Sequence, residues 1–263
     1  MLPTPNTSHV SFDNIYEPAE DSYLLLDTLS SESESSFLKL HFPIGKPSPI
    51  ILEVGTGSGV VLAFVTAHAS HIFGRADGAS FGIDVNAFAC KATAETVAKA
   101  RRDVAENATT PAAFIDVVNG DLTAPLRANC IDVLIFNPPY VPTEALSLGT
   151  LPDVNDKALL TSLQLFERDS RLLELSYAGG VDGMQITDRL LAQLPYVLSE
   201  KGVAYVLLCA QNKPEDVKRR VIEGFPVTDP LRRSWAAETV GSSGKKAGWE
   251  KLVVIRIWCD TVA

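Results

Sequence analysis

Two hydrophobic periods alternate along this chain, and they sort most of it into strands and helices. Ile50–Val54, "IILEV", is a short apolar run of the kind buried on both faces of a sheet. A glycine-rich turn, "GTGSG", follows it, and Val60–Ala69 then predicts a buried helix. Ser80–Asn86, "SFGIDVN", predicts a second strand, and the alanine-rich Ala87–Ala108 a long helix of high intrinsic propensity. "AFIDVVNGDL" (Ala113–Leu122) and "CIDVLIFNPPY" (Cys130–Tyr140) predict a third and a fourth strand. Asp182–Gly202 is amphipathic, with Met184, Leu190, Leu191, Leu194 and Leu198 on its apolar side, a stripe that reads as core. "GVAYVLLCA" (Gly202–Ala210) predicts a fifth strand and "KPEDVKRRVIEGF" (Lys213–Phe225) another helix. The last stretch reads as a strand pair around the mobile loop "GSSGKKAG". Upstream, "EPAEDSYLLLDTL" (Glu17–Leu29) carries a helix start, with Pro and acids in its first turn. "SSESESS" (Ser30–Ser36) then reads as a polar break, followed by a short helix or loop.

Strands alternating with helices predict an α/β fold: a doubly wound, mostly parallel sheet with helices on both faces. The 263-residue chain reads as one domain over 13–263, a flexible tail over 1–12 and a loop insertion at about 141–180. In such sheets ligands bind beyond the carboxyl ends of the strands, so those ends are the place to look for chemistry.

The first strand ends in "EVGTGSG", where glycines allow close backbone approach and the next helix offers its amides. The spacing G-x-G-x-G puts Val60 where a dinucleotide fingerprint needs its third glycine, which weakens a nicotinamide reading. The second strand ends in "IDVN". Asp84, with Val85 beside it, can accept hydrogen bonds from both hydroxyls of a ribose, or Asp84 or Asn86 can cap the next helix. At the third, Asp121 can accept from an adenine amino group while Leu122 packs on the ring, or Asp121 can be an ordinary turn acid. The fourth is cut off by "NPPY": two prolines cannot continue a central strand, and they leave Asn137 and Tyr140 at the cut.

Charge narrows the partners. The formal net charge is −9, which handicaps unaided binding to a phosphate backbone. The basic pairs and triplets Lys218–Arg220, Arg232–Arg233 and Lys245–Lys246 read as solvated faces. Cys90, Cys130, Cys209 and Cys259 form no C-x-x-C pair and read as free thiols of a reducing compartment. His68 and His71 lack companion ligands, so no metal is expected. No signal peptide or membrane-length apolar run is apparent, and the expected location is cytoplasmic, with the nucleus also open.

The four strand ends together resemble the class I S-adenosylmethionine-dependent methyltransferases, and "NPPY" marks the branch acting on planar nitrogens. "YEPAEDSYLLLDTL", "LEVGTGSGVV", "DVLIFNPPYVPT", "AGGVDGM" and "PLRRSWAAETV" with "WEKLVVIRIW" are similar to the eukaryotic and archaeal HemK-related release-factor glutamine methyltransferases. That resemblance spans Tyr16 to Trp258 and implies a seven-stranded Rossmann-like sheet ending in an antiparallel hairpin. It implies S-adenosylmethionine as cofactor and, as substrate, the Gln of the Gly-Gly-Gln motif in a class I translation release factor. Tyr16, Pro18, Asp21 and Ser22 match positions that line or cap the cofactor pocket, and Glu53 would face the cofactor's amino group. With Gly55, Gly57, Asp84, Val85, Asp121, Leu122 and Asn137 these form the expected cofactor site. The resemblance also implies a heterodimer with a small zinc-binding activator. In the usual strand order of such sheets the third strand is an edge, and this one is apolar where free proteins normally guard an edge, so a partner strand is expected near Phe114–Asn119.

The chemistry expected of Asn137, Pro138 and Tyr140 follows from the acceptor. An amide nitrogen is a poor nucleophile because its lone pair is delocalised. The Asn137 side-chain oxygen and the Pro138 carbonyl can accept its two N–H bonds and favour developing positive charge, with Tyr140 against the flat amide. An adenine or cytosine amine presents the same NH2 group, so a nucleic-acid methyltransferase is the nearest alternative. A lysine methyltransferase ranks lower, because "NPPY" offers no base for an ammonium. A non-catalytic scaffold is disfavoured by the intact Asn137 and glycines.

Overall fold

The computed structural model describes residues 2–107, 109–144, 162–224, 229, 233–243 and 251–260. Two helices, α1 (Glu20–Ser30) and α2 (Glu32–His41), precede the first strand, β1 (Ile50–Val54). Then come α3 (Val60–Ala67), α4 (Ala69–Phe73), β2 (Ala79–Asp84), α5 (Ala87–Glu106), β3 (Ala113–Asn119) and β4 (Ile131–Phe136). A two-residue strand, β5 (Val141–Pro142), pairs in parallel with β6 (Ala178–Gly180), and α6 (Ser162–Tyr177) leads into β6. The chain continues through α7 (Gln185–Val197), β7 (Leu198–Cys209) and α8 (Pro214–Glu223) to β8 (Ser234–Ser242) and β9 (Leu252–Asp260).

Seven strands form the central sheet in the order β3-β2-β1-β4-β7-β9-β8. β1, β2, β3, β4 and β7 run parallel, while β9 pairs antiparallel with both β7 and β8, which is the expected doubly wound sheet with a terminal hairpin. Both faces are clad, so the strands can be apolar throughout. Leu52, Leu134, Val206 and Ile255 face α7 and α8, whereas Ile51, Val133, Tyr205 and Val254 face α1 to α4. Alternation with a period of two thus feeds two cores from the same strands.

Two local readings differ from expectation. The polar run Ser30–Ser36 is no break: Ser31 Oγ accepts the Glu34 N–H at 3.3 Å, and the acids of the first turn suit a helix N-terminus, so α2 starts inside it. Its Glu34 is buried and receives Arg256 on both carboxylate oxygens at 2.8 Å and the Tyr205 hydroxyl at 2.9 Å. The expected helix Val60–Ala69 is interrupted at His68, whose φ of −105° and ψ of 22° leave the helical range. Within the expected loop insertion the structure describes α6; residues 145–161 lie outside the described residues, as do Lys245 and Lys246 of the final loop. Residues 2–12, expected as a flexible tail, carry no helix or strand. Within them Val10 is buried beside Ile15 and Ala89, and His9 Nε2 lies 3.2 Å from Thr96 Oγ1 on α5.

Candidate functional site

A cleft of about 410 Å³ opens at the carboxyl ends of β1, β2 and β4, with residues of α6 and of the segment before α1 along its rim. It is built strand by strand. After β1 the chain turns through Gly55, Gly57 and Gly59, all at positive φ. Gly59 shows why a side chain is not tolerated: a Cβ there would sit 2.5 Å from the Thr93 Cα, so α3 and α5 could not pack this closely. Glu53, at the end of β1, is buried, and its Oε2 accepts the Leu62 N–H of α3 at 2.8 Å. Burial pushes its carboxyl well above the usual range; the Leu62 N–H opposes this, and the nearby Asp84 carboxylate adds to it.

Asp84 ends β2 and ties two segments together. One oxygen accepts the Gly57 N–H at 2.9 Å and the other the Asn86 N–H at 2.8 Å. Burial raises its pKa, and the two N–H bonds hold the rise in check. The capping alternative falls to Asn86, whose Oδ1 accepts the Phe88 N–H at the start of α5. Beyond β3, Leu122 sits at φ +50°, a conformation unfavourable for its type. Two residues of α7 brace that turn: Arg189 pairs with Asp121 at 2.5 Å, and Gln193 Oε1 accepts both the N–H and the hydroxyl of Thr123.

At the end of β4, Asn137 is one of the residues that line the cleft. Its Oδ1 is buried and accepts no hydrogen bond, an uncommon and costly state for a carboxamide oxygen. The Tyr140 hydroxyl lies 3.5 Å from Asp21 Oδ2 on α1. Asp21 also accepts the Ser22 N–H at 2.6 Å.

Tyr16, Asp21, Ser22, Glu53, Gly55, Gly57, Asp84, Val85, Asp121, Leu122, Asn137, Pro138 and Tyr140 all line this one cleft. Pro18 is not among the lining residues. It lies just before α1, where a ring that fixes φ directs the chain into the helix. Arg171, Leu172 and Leu175 of α6, and Ile186 and Arg189 of α7, line the cleft too and were not anticipated. Arg189 and Gln193 stand four residues apart, one turn of the same helix face, and that pairing of polar residues is the signal the apolar stripe of α7 conceals.

An adenosine-bearing methyl donor fits this arrangement. The glycine turn lets a ligand approach the backbone closely, two buried acidic side chains line the cleft, and Asn137 contributes a buried acceptor without a partner. Among the described residues no group of three metal-ligating side chains comes together.

No family model matches the chain. Curated proteins do. It is 31% identical over 262 residues to the eRF1 methyltransferase catalytic subunit mtq2 of Schizosaccharomyces pombe, covering 98% of this chain and 96% of that one. It is 34% identical over 260 residues to methyltransferase HEMK2 of Mus musculus, covering 97% and 96%. It is 27% identical over 246 residues to a putative protein N5-glutamine methyltransferase of Methanocaldococcus jannaschii, covering 93% and 91%.

Proposed function

Because this chain belongs to the family of the mtq2 and HEMK2 methyltransferases, we propose that it methylates the side-chain amide nitrogen of the Gln in the Gly-Gly-Gln motif of a class I release factor. The observation that carries this reading is the buried, unpartnered Oδ1 of Asn137 at the end of β4. An acceptor kept out of water with nothing to accept is prepared for an N–H that comes with the substrate.

S-adenosylmethionine, when bound, supplies an electrophilic methyl group on a sulfonium. The glycine turn and Asp84 would hold its ribose, Asp121 and Leu122 its adenine, and Asp21, Ser22 and Glu53 its amino-acid end. Asn137 Oδ1 and the Pro138 carbonyl accept the two N–H bonds of the target amide. That orients the nitrogen and stabilises the positive charge it gains as its lone pair leaves conjugation. The two prolines hold both acceptors in place without reorganisation. Tyr140 closes one side of the amide slot, its hydroxyl directed to Asp21.

The reading is tested by incubating the enzyme with isotopically labelled S-adenosylmethionine and a release factor, or DNA or RNA, and locating the methyl by mass spectrometry. Label on the glutamine amide is expected; label on an adenine or cytosine amine alone sinks the proposal.

A partner subunit is part of this proposal. β3 is an edge of the sheet and leaves Ile115 63% and Val118 40% exposed, a pairing template that a monomer would normally guard. The similar S. pombe protein is itself named a catalytic subunit. A small zinc-binding activator adding a strand at Phe114–Asn119 would cover this edge. Co-expression with such a protein is expected to raise soluble yield and thermal stability, and Ile115→Lys to abolish the association. A stable monomer with full activity alone would count against it.

A further inference from the structure

We infer that Asn212, outside the cleft, is a positioning residue for methyl transfer, acting through the main chain of Tyr140. The inference rests on the reading of Asn137 and Pro138 as the acceptor fork. Asn212 lies between β7 and α8 and is 2% exposed. Its Oδ1 accepts the Cys209 N–H at 2.8 Å, which fixes the carboxamide plane. Its Nδ2 then donates toward three carbonyls: Tyr140 at 3.2 Å, Asp182 at 3.2 Å and Gly183 at 3.3 Å. One side chain therefore joins the end of β7, the turn after β6 and the last residue of "NPPY".

The opposing wall of this socket is unusual backbone. Asp182 sits at φ +55° and Gly183 at φ +67°, and a Cβ on Gly183 would run into the Tyr140 carbonyl oxygen. A Cβ on Gly179 would sit 2.6 Å from the Pro139 oxygen. The glycines of "AGGVDGM" thus let this segment close directly on the back of the proline pair. The same contact is extended by β5–β6 pairing, in which Thr143 N–H bonds the Gly180 carbonyl and Thr143 Oγ1 accepts the Gly180 N–H, both at 3.0 Å.

The physical consequence follows from what each end of Tyr140 does. Its hydroxyl faces Asp21 on the cofactor side, and its carbonyl is gripped by Asn212 on the far side. Prolines stiffen the two residues before it, but a stiff segment still needs an anchor to set its direction. Loosening that anchor would let the Pro138 carbonyl and Asn137 drift from the acceptor nitrogen, while the glycine turn and Asp84, on other strands, keep the cofactor in place.

Asn212→Asp is the test, because it keeps shape and the oxygen for Cys209 N–H while replacing the NH2 donor. A buried carboxylate facing three carbonyls is repelled, whereas the neutral acid regains one O–H donor. With S-adenosylmethionine and a release factor, kcat at alkaline pH is expected to fall about tenfold or more, with the cofactor Kd within about threefold. The deficit is expected to shrink as pH is lowered, a slope absent from the unsubstituted enzyme. Unchanged kcat at every pH overturns the inference, as does a loss of kcat matched by cofactor affinity with no pH slope. Should Asn212→Asp not fold, Thr143→Val carries the test: a few-fold lower kcat at unchanged cofactor Kd supports it, and unchanged kcat overturns it. Asn137→Ala run alongside separates the layers. If that variant still turns over, the acceptor fork itself is wrong; if it is dead while Asn212→Asp is normal, only the role of Asn212 fails.

Discussion

The two halves of the cleft are supported in different ways. On the cofactor side the Leu122 turn is braced from α7, 68 and 70 residues away, but the bonds around the glycine turn are short-range: Glu53 to Leu62 nine residues away, Asp84 to Asn86 two away and to Gly57 twenty-seven away. One strand–helix–strand unit therefore builds most of it. On the acceptor side, Tyr140 is held by Asp21, 119 residues distant, and by Asn212, 72 distant. Affinity for the donor thus draws more on local structure, whereas acceptor geometry is a property of the whole assembly. Substitutions far from the chemistry are expected to reach turnover more readily than cofactor binding.

Asn137→Ala breaks the comparison most sharply. Loss of one of the two acceptors is expected to lower kcat about 100- to 1000-fold with cofactor Kd nearly unchanged, read by single-turnover methylation and calorimetry. Asp84→Ala is the mirror image. Removing an acceptor that also ties Gly57 to Asn86 is expected to weaken cofactor binding about 10- to 100-fold, with much of kcat recovered at saturation. A comparable loss in both constants would dissolve the distinction between the halves.

Gln193→Ala is a milder probe of the cofactor half. It frees Thr123 beside the strained Leu122, and a rise in Kd of about two- to tenfold is expected with kcat unchanged. The smallest effect is in pH. Burial raises the Glu53 pKa, so its protonation competes with binding as pH falls. A cationic donor favours the ionised form, so binding should release protons, and affinity should fall as pH drops through the Glu53 pKa, by at most about tenfold per unit. Calorimetry in buffers of different ionisation enthalpy reads the proton count. Glu53→Gln should remove that release, and a slope that survives the substitution would assign it elsewhere.

These differences also explain what was legible in the sequence. The parallel strands, the glycine turn, Asp84, Asp121 and "NPPY" were readable because each is a compact local pattern with a fixed place at a strand end. α2 was not, since serines and glutamates read as solvent-facing until Arg256 and Tyr205, far along the chain, are brought to Glu34. Arg189 and Gln193 were hidden behind the leucine stripe on their own helix. Asn212 gave no local signal at all: a carboxamide between a strand and a helix acquires its role only when two other turns close on it. The break at His68 is equally silent in the apolar run Val60–Ala69.

The pair Glu34–Arg256 spans 222 positions and is buried, with the guanidinium stacked 3.7 Å from the Phe37 ring centroid and 4.6 Å from that of Trp258. Its acidic member is synthesised 222 positions before its basic member. Until β9 emerges from the ribosome, the opening helices carry a carboxylate with no counterion for its intended dry site, and they cannot seat fully on the sheet. Emergence of β9, not growth of the first half of the sheet, is then the moment at which the opening helices can seat.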